Sequence, residues 1–159
     1  MLQYFHYLSK VKAMNKVFGE RIKGAEYLDR KGAYLIPVEN GKIAVVKTKK
    51  GYFLLGGGID GDETDKECIL RECLEEIGYK VSVGEYIGSA ESYCKHPEIG
   101  YFHPIQNYYS GKLLKKVSDE AEAEHKLEWV AVEDMADKLF VEQQNWIVKE
   151  YILRLSAQG

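Results

Sequence analysis

The sequence predicts an α/β fold, and three features of its order carry that prediction. Strand-like runs rich in β-branched and aromatic residues come first. A capped amphipathic helix interrupts them near the middle, and further strand-like runs lead to a second helix close to the C-terminal end. A length of 159 residues suits one domain with a real core.

In chain order, Gly32–Val38 and Lys42–Thr48 read as strands joined at Glu39-Asn40-Gly41, a hairpin signal. Tyr52–Leu55 is a short apolar strand that enters a glycine-rich loop at Gly56, Gly57 and Gly58. The helix start is written at Thr64. Thr64-Asp65-Lys66-Glu67 fits a capping box, and Asp65 and Glu67 suit the positive end of the helix dipole. Gly78 supplies the stop. Val81–Tyr93 reads as one or two strands, and Pro104–Leu114 and Leu127–Val132 as further ones. Val132-Glu133-Asp134-Met135 opens a short helix. Gln143–Leu155 forms a longer one, where Trp146, Ile147, Tyr151 and Leu155 recur at core-packing spacing.

On the central helix, at about 100° per residue, Glu72, Glu76 and Glu75 fall at about 0°, +40° and −60°, with Arg71 at about −100°. Ile69, Cys73, Ile77, Leu70 and Leu74 spread from about +60° to +200°. One face is therefore apolar and the other is a carboxylate cluster edged by an arginine. Such a face is commonly just solvated. Directly after a loop of three glycines, which lets the backbone approach a ligand closely, it also suits divalent cations meeting a phosphate chain. Gly56, Gly58 and Gly61 match G-x-G-x-x-G as well. A dinucleotide site, however, wants a bare helix N-terminus for its pyrophosphate, and this helix is lined with glutamates.

Taken together, Gly57 to Tyr79 resembles the Nudix box, G-x5-E-x7-R-E-U-x-E-E-x-G-U, with U a bulky apolar residue. Gly57, Glu63, Arg71, Glu72, Glu75, Glu76 and Gly78 fill its fixed positions. A chance match at one start point is on the order of one in a hundred million at ordinary residue usage. Cys73 and Tyr79 at apolar positions, and Leu55 where many members have proline, depart from the pattern without removing a ligand.

The resemblance implies an α/β/α sandwich with a mixed sheet between helices, covering about Arg30 to Ser156, with residues 1–29 as lead-in. It implies a Mg²⁺- or Mn²⁺-dependent hydrolase of a nucleoside diphosphate linked to another group. Glu72, Glu75 and Glu76 would be metal ligands, with the carbonyl of Gly56 a further one. Glu63 would support the site, Arg71 would orient the glutamates, and Gly57 and Gly58 would face substrate. The base that activates water is in some members the first glutamate of the R-E pair, here Glu72, and in others a later-loop carboxylate. Glu120, Glu122 and Glu124 occupy such a loop. The competing reading is a nucleotide-sensing module without catalysis; such modules usually lose a ligand glutamate, and this chain has lost none.

The remaining features bound the setting. A net charge of −3 gives no electrostatic case for a nucleic-acid polymer as partner. Three cysteines without metal spacing point to a reduced, cytoplasmic protein, and no apolar run reaches membrane length. The expected partner is a small nucleotide-type molecule, and the expected state a monomer or homodimer. Tyr86, Tyr93, Tyr101, Phe102, Tyr108 and Tyr109 read as sheet residues, with base stacking the alternative. Cys94–His103 reads as a polar loop or lid holding two surface histidines, His96 and His103. Met1–Lys16, with Lys10, Lys12 and Lys16 among aromatics, is either a short docking helix or upstream of a start at Met14. No marker of a particular leaving group is visible.

Overall fold

The computed structural model describes residues 12–158. Among these residues ten strands form two sheets, accompanied by two α-helices. The strands are β1 (Met14–Phe18), β2 (Leu28–Ile36), β3 (Val38–Glu39), β4 (Lys42–Thr48), β5 (Gly51–Phe53), β6 (Leu55–Gly58), β7 (Tyr79–Ser92), β8 (Cys94–His96), β9 (Gly100–Lys116) and β10 (Lys126–Ala131). The helices are α1 (Asp65–Ile77) and α2 (Glu142–Gln158), the latter preceded by a 3₁₀ turn at Val132–Asp134.

The larger sheet runs β1-β7-β9-β2-β6, with β8 paired to β9. It is mixed: β1/β7 and β2/β9 are parallel, while β7/β9 and β2/β6 are antiparallel. The smaller sheet runs β10-β4-β3, with β5 on β4. Successive strand residues point to opposite faces, and both faces are covered. Ala33, Leu35, Ala44 and Val46 pack with Ile69, Cys73 and Ile77 of α1. Ile36, Ile43 and Val45 pack with Ile147 and Val148 of α2. This two-sided burial explains the near-continuous apolar runs in β2 and β4. The architecture is the expected α/β/α sandwich.

Local chemistry agrees with most of the sequence reading. Asn40 (φ +52°) and Gly41 (φ +73°) turn the β3–β4 hairpin with both central residues at positive φ. Thr64 caps α1 by accepting the N–H of Glu67 at 3.1 Å. Gly78 closes it at φ +72°, donating to the carbonyls of Cys73 and Leu74. A Cβ at Gly78 would collide with the carbonyl oxygen of Ser118. Gly78→Ala is therefore expected to cost about 2 kcal/mol or more, read by denaturant unfolding.

Several expectations are corrected. The glycine run is not a loop: Gly56, Gly57 and Gly58 lie in β6, opposite Tyr34, Ala33 and Gly32 of β2. The connecting loop begins only at Ile59, because glycines tolerate a strand pressed against both β2 and α1. Cys94–His103 is a β-hairpin, Cys94 pairing with Phe102 and His96 with Gly100. Part of the lead-in is strand, β1 pairing with β7. Lys10 and the rest of residues 1–11 lie outside the described residues; of the stretch read as a docking helix or as upstream of a start at Met14, Lys12 and Ala13 belong to no helix or strand and Met14–Lys16 lie in β1. The burial of α1 is also rotated. Cys68 and Glu76 are buried whereas Leu74 is 40% exposed.

Candidate active site

The rotation of α1 follows from β6. A Cβ built on Gly57 would lie 2.6 Å from Cδ of Glu72, so strand and carboxylate share space that only glycine leaves free. The thiol of Cys68 meets the carbonyls of Gly57 and Gly58 at 3.4 Å each. Gly56 holds φ +132°, where an added Cβ would collide with the carbonyl oxygen of Ala33. Its N–H donates to Oε1 of Glu76 at 3.2 Å.

Arg71 is the hub of the carboxylates. Its Nε and Nη2 donate to the two oxygens of Glu63 at 2.7 and 2.8 Å, a bidentate fork. Nη1 donates to Glu72 at 3.0 Å and to Glu75 at 3.1 Å, and Nη2 donates to the carbonyl of Gly58 at 3.0 Å. Glu63 also accepts the N–H of Asp60 at 2.8 Å, so it ties the loop to the helix. These bonds, Arg71's first, hold the Glu63 carboxyl down at about 2.

Glu76 is 7% exposed. Burial pushes its carboxyl up to about 8; the Gly56 N–H opposes that shift, and the charges of Glu72, Glu122 and Glu75 add to it. Glu72 is also raised, by burial first and by Glu75 and Glu122 among the charges, against the pull of Arg71.

The three loop glutamates part company. Glu122 donates its backbone N–H to the carbonyl of Glu75 at 3.2 Å, which brings its carboxylate beside the helix cluster. Glu124 turns to Lys49 at 3.4 Å on the wall of a cavity. Glu120 is exposed, its N–H donating to Ser118. Among the described residues no three His, Cys, Asp or Glu side chains converge as a ready metal cage. Glu72 and Glu75 face Arg71 instead, and Glu76 faces Gly56.

A cavity of ≈ 490 Å³ opens against Gly56 and Glu76, walled by Phe53, Leu54, Lys49 and His125 among others. Sequence reasoning missed His125. Its Nδ1 lies 2.6 Å from Glu122 and 3.9 Å from Glu76, aligned as a hydrogen bond to neither. A histidine next to the Glu120–Glu124 loop is the signal that was there to read. Also missed was Gln144, 1% exposed, which accepts the N–H of Leu54 at 2.9 Å from inside α2. The cavity aromatics are Tyr34 and Phe53. The tyrosines named from the sequence serve the sheet: Tyr108 is fully buried, and Tyr109 donates to Asp65.

His103 is not a surface residue. It is buried between Asp29 (2.8 Å) and Glu91 (3.2 Å) and stacks on Tyr93 with ring centroids 4.2 Å apart. His96 accepts the N–H groups of Glu98 and Ile99, fixing the turn of its hairpin.

A family model described as the NUDIX domain matches residues 29–151. Over 71 residues the chain is 35% identical to the NAD-capped RNA hydrolase NudC of Pseudomonas aeruginosa, covering 45% of this chain and 24% of that protein. It thus spans about a quarter of the length of the curated relatives it matches. Among solved structures it resembles a MutT NUDIX hydrolase from Burkholderia pseudomallei (TM-score 0.65, 19% identity, 77% of this chain and 97% of that one). It also resembles a MutT protein from Methanosarcina mazei Go1 (TM-score 0.67, 19% identity, 82% and 98%). An ADP-ribose pyrophosphatase from Streptococcus suis aligns at TM-score 0.56 and 17% identity, over 77% of this chain and 90% of that one. At these identities the structures show the fold; the domain match over most of the chain, on an unbroken box, shows that it belongs to the Nudix hydrolase family.

Proposed function

We propose that this protein is a divalent-metal-dependent hydrolase of the diphosphate linkage in a nucleoside diphosphate derivative, such as an NTP, an oxidised NTP or a nucleotide sugar. The observation that carries the reading is the arginine-organised carboxylate cluster, with buried Glu76 on the wall of a cavity large enough for a nucleoside. Its donors are hard oxygens, and its like charges raise one another's proton affinity, which fits a hard cation such as Mg²⁺ or Mn²⁺. Glu72, Glu75, Glu76 and the Gly56 carbonyl would hold the ion. When bound, it would neutralise phosphate charge and favour deprotonation of water.

The chain's own residues supply the rest. Arg71 keeps Glu72 and Glu75 oriented, and Glu63 locks Arg71 to the loop. Gly57 and Gly58 leave room for the phosphates beside the helix. In the reaction a carboxylate takes the proton of the attacking water, the new P–O bond forms, and the anhydride oxygen departs on the leaving phosphate. Glu72 is one base for that step. Of the loop carboxylates, Glu122 is favoured by its position over Glu120 and Glu124. Free Cys68, Cys73 and Cys94 support a reduced, cytoplasmic setting for an enzyme acting on small molecules, as a monomer or homodimer.

Product release should be measured from NTPs, 8-oxo-dGTP, ADP-ribose, nucleotide sugars and dinucleoside polyphosphates with Mg²⁺, Mn²⁺ or EDTA. Metal-dependent turnover of at least one of them is expected. Nucleotide binding without turnover would replace the reading with a sensor.

A further inference from the structure

The cavity beside Glu76 has a neighbour. It shares Thr48, Lys49 and Glu124 with an adjoining cavity of ≈ 350 Å³, which is walled by Lys47, Lys126 and Glu128 as well. The first cavity carries Glu76, Phe53 and Leu54, and the second is rich in lysine.

The lysines are placed at a cost to the fold. Lys47 on β4 and Lys126 on β10 are directly opposite in antiparallel register. Side chains so paired stand about 5 Å apart at Cβ, and like charges there destabilise a sheet. The neighbouring carboxylates offset them only in part. Glu128 lies 4.0 Å from Lys47, and Glu124 lies 3.4 Å from Lys49 on a highly exposed pair. Lys126, and Lys50 at the cavity wall, make no ion pair among the described residues. In the groove itself three lysines, Lys47, Lys49 and Lys126, therefore meet two carboxylates, Glu124 and Glu128, and exposed ion pairs of this kind are worth little, so they yield readily to an incoming anion.

We infer that the lysine groove is a subsite for a phosphate lying outside the cleaved anhydride. The substrate is then a nucleotide with negative charge at both ends: the diphosphate at the helix carboxylates, and a further phosphate entering the groove past Thr48 and Lys49. That phosphate is either a monoester on the ribose or the diester link to a second nucleotide. The inference rests on the proposed function for which end carries the reacting diphosphate, whereas the groove's preference for phosphate stands by itself.

Ligands without an anhydride separate the two. For each of the four common bases, calorimetry on the full chain compares the nucleoside 5′-monophosphate with its 2′,5′- and 3′,5′-bisphosphates and with the 5′-phosphorylated dinucleotide. At least one extended ligand is expected to bind tenfold or more tighter than the monophosphate, and to lose that advantage as salt rises. The bisphosphates winning identifies a ribose monoester; the dinucleotide winning identifies a diester. Lys126→Ala, at an exposed position, is expected to bring the ratio toward one, and Lys126→Glu below it. Equal affinity across each series, no binding by any of them, or an advantage that survives in both Lys126→Ala and Lys47→Ala overturns the inference. Because none of these ligands can be hydrolysed at an anhydride, a failure of the hydrolase reading would leave this result unchanged.

Discussion

Glu76→Gln is expected to cut metal-dependent turnover by about 10²–10³, on the scale of losing one donor that stabilises developing charge in an acyl-transfer transition state. The same substitution is expected to make the metal-free fold more stable. The two effects have one origin. Glu76 is buried against β6, and its carboxyl is pushed up to about 8 by that burial first. Between the ordinary value of 4.5 and about 8, the unfolded chain gives up a proton that the folded chain keeps. Stability of the wild type in EDTA therefore falls as pH rises through this window. Glutamine has no proton to lose, and its amide oxygen still accepts the Gly56 N–H. The variant should be more stable than wild type by on the order of a few kcal/mol at pH 8, with the difference fading near pH 4. Urea titrations across pH read this directly. Parallel pH profiles for the two proteins would show that Glu76 does not carry the burden assigned to it.

Arg71→Ala is expected to lower turnover by about 10–100-fold, the scale for partners that orient metal ligands. Its guanidinium spans Glu63, Glu72, Glu75 and the carbonyl of Gly58 at once. Arg71→Lys should rescue little of this, since an ammonium cannot reproduce the planar fork. A second readout is acid unfolding. Glu63 sits at about 2 because Arg71 donates to it. That contribution is fully present above the ordinary carboxylate value and is lost as pH falls toward 2. Wild type should therefore lose stability through this acid range, and Arg71→Ala should lose less. An alanine variant with the wild-type acid profile would mean that the Arg71–Glu63 fork is not formed in solution.

Much of this site was legible in the sequence because it is built from local rules. The cap at Thr64, the stop at Gly78 and the four-residue spacing of Glu72 and Glu76 depend on one helix alone. So does the Arg71/Glu75 pair, which forms at 3.1 Å. The Asn40-Gly41 hairpin is equally local. What stayed hidden depends on contacts between elements. Helical phase placed Glu76 at the edge of the carboxylate face, and only the pressure of β6 reveals that it is buried. Leu74, on the far side of the predicted apolar arc, is left in solvent for the same reason. His125 reaches the site through the β10 approach, and Gln144 through α2, tens of residues away. His103 is buried because parallel pairing of β2 with β9 sets it opposite Asp29. Nothing near it in sequence marks that partner.

In the proposed function the α1 carboxylates hold a divalent ion. Binding of Mn²⁺ to the full chain, followed by electron paramagnetic resonance in wild type and Glu76→Gln, tests it most directly. Saturable binding by wild type, weakened at least about tenfold in the variant, is the predicted result. No binding by wild type, or superimposable titrations for the two proteins, would contradict it.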